Sequence, residues 1–203
     1  MLKYIDDFLT LRCTPDLLAA RVFPRRPAKE VTEVMGAWSA VRKALPRLDI
    51  LGDPRVVLVD VGCGVKPRGA ALAACMSVWS TIGVDPRLKS AGAVPGIHRC
   101  EGIKGTIQDF LTSEAGKTRL VPASLVIFMN THGHADLSYL REIETEAPCI
   151  CCTIPCCFPL TPPDDFVLVS HEKDPWILSP QNEVFVWSRF LEMYDGSHKT
   201  KQQ

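Results

Sequence analysis

Val56-Val57-Leu58-Val59-Asp60-Val61-Gly62-Cys63-Gly64 decides how this chain is read. The first six residues form a short, β-branched, apolar strand that runs directly into a glycine turn. Downstream, Arg68-Gly69-Ala70-Ala71-Leu72-Ala73-Ala74-Cys75-Met76 has the composition of a helix packed on that strand. A strand, a Gly-x-Gly turn and a helix bring backbone amides close to a ligand, and the positive helix N-terminus favours an anionic group there. Thr81-Ile82-Gly83-Val84-Asp85-Pro86 then reads as the next parallel strand. Its carboxylate lies about twenty residues beyond the turn, where a ribose diol is held in doubly wound sheets. The spacing predicts a nucleoside-cofactor site.

Composition narrows the class. The chain has 203 residues, enough for one domain with a sizeable core. Lysine and arginine balance aspartate and glutamate at 23 each, so no global field draws the protein to a polyanion and any such site must be local. No apolar run approaches the ~18 residues needed to span a bilayer, so no membrane role is expected. The N-terminus carries Asp6 and Asp7 and lacks a cleavage pattern, which argues against a secretory signal. Nine cysteines, five of them between Cys149 and Cys157, point to reduced thiols and an intracellular setting, the cytoplasm first, rather than to a disulfide framework.

Residues 1–50 are expected to form a helical extension. Its best helix starts soon after Pro27 and ends before Pro46, with Glu30 and Glu33 in the first turn and Arg42 and Lys43 in the last. Val31, Val34, Met35, Trp38, Val41 and Leu45 form one stripe, as in a helix laid on a sheet. The loop before it, with Arg21, Arg25, Arg26 and Lys29 punctuated by prolines, reads either as a phosphate contact or as solvated surface. After Asp85 a third strand is expected within residues 96–105. Thr106-Ile107-Gln108-Asp109-Phe110-Leu111 follows, in which Asp109 and Phe110 either bracket a purine or begin a helix capped by Asp109.

Ser124-Leu125-Val126-Ile127-Phe128-Met129-Asn130 is continuously apolar, as for a strand covered on both faces. It delivers Asn130-Thr131-His132-Gly133-His134-Ala135-Asp136 to the carboxyl edge of the sheet, where ligands bind. The His-x-His pair supplies only two ligands on this loop, and the cysteines lack paired Cys-x-x-Cys knuckles, so no metal site is assigned. In Cys149-Ile150-Cys151-Cys152-Thr153-Ile154-Pro155-Cys156-Cys157, alternation puts Cys149 and Cys151 on one face and Cys152 on the other. Two late strands, around residues 166–170 and 183–190, suggest a terminal antiparallel hairpin. Residues 195–203 read as a polar tail.

Asp60-Val61-Gly62-Cys63-Gly64, Gly83-Val84-Asp85, Gln108-Asp109-Phe110 and the closing hairpin resemble class I S-adenosylmethionine-dependent methyltransferases over about residues 54–190. The segments from Asn130 to Asp136 and from Thr153 to Cys157 look like the branch of tRNA uridine 2′-O-methyltransferases and related proteins. The resemblance implies an α/β, Rossmann-like methyltransferase fold: a mostly parallel seven-stranded sheet over residues 51–194, with a terminal antiparallel hairpin. It implies S-adenosylmethionine as cofactor, with Asp60, Gly62, Cys63 and Gly64 at its methionine end and Asn130 beside them. Asp85 would take the ribose, and Asp109 with Phe110 the adenine. His132, oriented by Asp136, is the candidate general base. Pro155, Cys156 and Cys157 would border the acceptor. Outside the resemblance, Arg25 and Arg26 of the basic loop are the candidate RNA contacts.

Two departures accompany the resemblance. Gly64-Val65-Lys66-Pro67 lacks the usual third glycine, and the proline-rich connection after the fifth strand is too short for the usual covering helix. Three functions therefore stand as expectations: an RNA methyltransferase, a methyltransferase fold without activity serving as a scaffold subunit of a ribonucleoprotein, and a nicotinamide-dependent oxidoreductase. The last is disfavoured because Gly62-x-Gly64-x-x-Pro67 breaks the dinucleotide fingerprint. The neutral charge suggests that a protein partner or a preformed ribonucleoprotein brings the RNA.

Overall fold

The computed structural model describes residues 2–45, 48–131, 136–155 and 160–190. Its centre is the predicted run. β1 (Val56–Val61) is buried at every position, and so are β5 (Leu125–Asn130) and β6 (Cys149–Thr153). Strands buried on both faces carry uninterrupted apolar sequence, which is why these three read so clearly. β2 (Ser80–Val84), β3 (Gly92–Ala93), β4 (Cys100–Ile103), β7 (Val167–Lys173) and β8 (Glu183–Arg189) complete a sheet of order β3-β4-β2-β1-β5-β6-β8-β7. The β4-β2-β1-β5-β6 pairs are parallel, whereas β3 and β8 pair antiparallel with their neighbours.

The sheet has eight strands where seven were expected. The extra one, β3, is a two-residue exposed ladder in the loop after Asp85, too short to leave an apolar pattern. The third expected strand is also shorter than its stretch. Gly96 and Arg99 both have positive φ, 78° and 59°, which turns the chain before Cys100.

Helices cover both faces. α1 (Lys3–Thr10), α2 (Thr14–Ala19), α3 (Pro27–Ala44) and α4 (Arg68–Met76) lie on one side, while α5 (Ile107–Thr112) and α6 (Glu114–Leu120) lie on the other. The whole predicted stripe of α3 is buried. It shares one core with Leu58, Ile127, Ile150 and Val186 of the sheet. Tyr4 donates to Asp174 Oδ2 at 2.5 Å, which ties α1 to the segment before β8. Cys152 belongs to this core and Cys149 and Cys151 to the opposite one, the alternation a strand imposes. No helix among the described residues is long and apolar enough to cross a membrane.

β7 is exposed along its length, and residues 160–166 contain no helix. Along β8 and β7, His171, Phe185 and Trp187 instead form a ladder of stacked rings, with centroids 4.0 and 6.4 Å apart.

Candidate functional site

The turn after β1 is held from three directions. Gly62 and Gly64 have φ of 64° and 77°, the left-handed region that glycine enters without strain. The Gly62 amide donates to the Val84 carbonyl at 2.9 Å, and the Gly64 amide to Asp85 Oδ2 at 2.7 Å. Pro67, the N-cap of α4, packs beneath the turn against β2: a Cβ on Gly83 would lie 2.2 Å from its Cβ. The missing third glycine is thus matched by a glycine on the neighbouring strand.

Asp60 is 1% exposed and directs Oδ2 at the first turn of α4, accepting from the Gly69 and Ala70 amides at 2.8 and 3.2 Å. Burial pushes its carboxyl up to about 6, against the pull of Arg68 and those two amides. Its role in this structure is to fix the helix to the turn. Cys63 is buried too, and burial raises its thiol.

Beyond the turn lies a cleft of about 530 Å³ at the carboxyl ends of the parallel strands. Gly62, Asp85, Asn130 and Asp136, all singled out in the sequence, line it together. Asn130 is buried at the end of β5, and Asp136 is exposed, with Oδ1 accepting from the Ser138 amide at 2.8 Å. Asp85 is heavily committed. Oδ1 accepts from the Arg87 amide and Nε at 2.6 and 3.2 Å, and Oδ2 from the Gly64 amide and Arg87 Nη2 at 2.7 and 3.2 Å. Although burial works to raise it, the Arg87 guanidinium with the Arg87 and Gly64 amides holds this carboxyl below its ordinary value.

The far wall differs from the expectation. Asp109 forms a capping box with Thr106: the Asp109 amide donates to Thr106 Oγ1 at 3.1 Å, and the Thr106 amide donates to Asp109 Oδ2 at 3.4 Å, beside a 2.6 Å bond from the Thr106 hydroxyl. Phe110 is 2% exposed in the core beneath the helix. Neither lines the cleft; Thr106, Ile107 and Gln108 do, facing Pro86. The capping reading of Asp109 is the one observed, because a carboxylate at N3 points back to the N-cap and the next residue turns inward. Tyr139, also unassigned in the sequence, closes the cleft with its hydroxyl 3.9 Å from Cys151 Sγ.

On the other side of the turn is a second cavity, of about 490 Å³, lined by Arg25, Arg26, Lys29, Lys66, Arg68 and Arg87 with Glu30, Gly64 and Val65. It brings the predicted Arg25 and Arg26 to the glycine turn. Arg87 belongs to both cavities. Arg68 is buried and pairs through Nη1 with Glu30 Oε1 at 2.8 Å. Lys29, read in the sequence as part of the basic loop, lies in the first turn of α3 and joins Arg25 and Arg26 in this cavity. Glu30 and Arg68 were missed because each sits on a helix whose pattern already explained it; Arg87, two residues after Asp85, was the available signal. Pro155 is buried at the exit of β6 and does not line the cleft. His132, Cys156, Cys157 and the polar tail lie outside the described residues.

No protein-family model matches this chain, and no curated protein does. Solved structures do. A point mutant of MtNAS in complex with S-adenosylmethionine aligns with a TM-score of 0.54 at 10% identity, over 93% of this chain and 70% of that one. MtNAS in complex with MTA and tNA aligns with a TM-score of 0.51 at 11% identity, over 93% and 69% of the two chains. The fold is shared. It is the α/β, Rossmann-like methyltransferase fold with a terminal antiparallel hairpin, β6-β8-β7.

Proposed function

We propose that this chain is an S-adenosylmethionine-dependent methyltransferase acting on RNA, tRNA or rRNA, with a ribose 2′-hydroxyl as acceptor. The observation that carries the reading is the cleft itself: Gly62, Asp85 and Asn130 converge at the carboxyl edge of a parallel sheet, where this architecture binds nucleosides. The fold shared with MtNAS, one of whose structures is in complex with S-adenosylmethionine, supports the same cofactor here.

The residues fit that cofactor with one rearrangement. Ile107 and Pro86 offer apolar walls for adenine, and Gln108 offers an amide. Asp85 already accepts four hydrogen bonds, so ribose hydroxyls take their place only when Arg87 swings away. The Arg87 side chain is 69% exposed and free to do so. When bound, the cofactor supplies an activated methyl group. The protein is left to align the acceptor in line and to remove its proton. We assign proton removal to His132, oriented by Asp136. Cys156 and Cys157 would border the acceptor.

Two surfaces support a nucleic-acid acceptor: the cationic cavity beside the turn, and the His171, Phe185 and Trp187 ladder, whose rings suit base stacking. Pro67, one of the departures behind the scaffold reading, packs beneath the turn against Gly83 and does not line the cleft. Incubation with methyl-labelled S-adenosylmethionine and separate tRNA and rRNA pools tests the proposal. Label is expected in alkali-resistant dinucleotides of one pool. Cofactor binding without transfer to either pool would reject RNA as acceptor.

A further inference from the structure

The cationic cavity has more charge than the cofactor reading uses. Of its six cations, Lys29 pairs with Glu33, Arg68 with Glu30 and Arg87 with Asp85. Arg25, Arg26 and Lys66 have no acidic partner among the described residues, yet all three line one concave space. Three uncompensated charges call for a ligand group with more than one negative charge. A phosphate monoester carries close to two at neutral pH and presents three acceptor oxygens, the geometry that guanidinium forks match. A phosphodiester carries one and is usually tracked by an extended groove rather than a closed end.

Glu30 adds an independent observation. Its residue is 8% exposed and it lines the same cavity. Oε1 is held by Arg68, while Oε2 has no hydrogen-bond partner. A buried carboxylate oxygen left unpaired is costly unless a donor reaches it. A sugar hydroxyl beside the phosphate is such a donor, and it gives the cavity a reason to hold one acid among its cations.

We propose that this cavity binds the terminal phosphate monoester of a nucleotide or nucleic-acid end, with Arg25, Arg26 and Lys66 on the phosphate and Glu30 on a neighbouring sugar hydroxyl. The inference rests on the methyltransferase reading only in making this group part of the acceptor; the binding stands without it.

The test is fluorescence polarisation with one single-stranded RNA made with a 5′-phosphate or a 5′-hydroxyl, with adenosine 5′-monophosphate and inorganic phosphate as competitors. S-adenosylmethionine calorimetry runs in parallel. The phosphorylated RNA is expected to bind roughly tenfold tighter. The Arg25→Ala/Arg26→Ala and Lys66→Ala variants should each erase that preference while leaving the cofactor affinity unchanged. Preference between the RNAs assigns the cavity to a nucleic-acid end, and competition by the monophosphate alone assigns it to a free nucleotide. Equal binding of both RNAs without competition overturns the inference and leaves the methyltransferase reading intact. Displacement of the phosphate ligand by S-adenosylmethionine also overturns it, because the cations would then serve the cofactor. A phosphate preference without any cofactor binding would instead reject the methyltransferase reading and keep the cavity.

Discussion

The cleft that holds Asp85, Gln108 and Asn130 is walled by strand ends and one short helix start, whereas the cavity that holds Arg25, Arg26 and Lys66 is walled by a loop, α3 and the turn. They share the glycine turn and Arg87 but differ in what fixes them. The cleft depends on backbone: two left-handed glycines, an amide held by Asp85, and a helix start held by Asp60. Arg25 and Arg26 of the cavity are exposed side chains with no packing of their own. The same turn thus borders a cleft fixed through backbone on one side and a cavity lined by exposed side chains on the other. Substitutions should therefore read out differently, in stability for the first and in affinity for the second.

Gly83→Ala should have the largest effect. Its Cβ would sit 2.2 Å from Pro67 Cβ and 3.1 Å from Cys63 Sγ, with no flexible end to move aside. A cost of about 2–4 kcal/mol in urea unfolding is expected, against less than about 0.5 kcal/mol for Arg26→Ala on the cavity side. Comparable losses at the two positions would break the contrast.

Asp60 gives it a pH dependence. Its carboxyl is pushed from 3.8 to about 6 by burial, so between those values the folded protein binds the proton more tightly than the unfolded chain. Stability from this group is therefore lost as pH rises through that window, by about 2 kcal/mol between pH 4 and pH 7. Asp60→Asn should remove this slope, so the variant gains on the parent with rising pH; parallel stability curves would show that Asp60 is not strained by its burial.

Arg87→Ala sharpens the comparison at the shared residue. Freed of the guanidinium, Asp85 should accept the ribose more readily, with S-adenosylmethionine tightening by about two- to fivefold. The phosphate preference of the other cavity should fall. Weakening of both ligands by calorimetry would mean that Arg87 contacts the cofactor directly. Asp109→Ala should cost about 1 kcal/mol through the lost cap and leave cofactor affinity within about twofold. A large affinity loss there would restore the adenine role expected from the sequence.

The fold was legible because its central strands are buried on both faces, and such strands write their burial as unbroken apolar runs. The shortest element left no such record, since β3 has two residues. The hairpin strand read around residues 166–170 is present as β7, but its exposed continuation to Lys173 carried no apolar signal. In the site, Gly62, Gly64 and Asp85 could be read because each answers a backbone requirement at fixed spacing. Asp109 and Phe110 carried two readings at once, a purine bracket and a helix cap, and only the direction of the side chains separates them. Glu30 and Arg68 stayed hidden because their pairing joins two helices through residues far apart in sequence.

The proposed function requires that the cleft beside Asp85 bind S-adenosylmethionine. Isothermal calorimetry of the intact chain with this cofactor and with S-adenosylhomocysteine, beside Asp85→Ala, tests it most directly. Micromolar binding of both that is lost in the variant is the predicted result. Absence of binding at millimolar cofactor, or binding that survives Asp85→Ala unchanged, would contradict it.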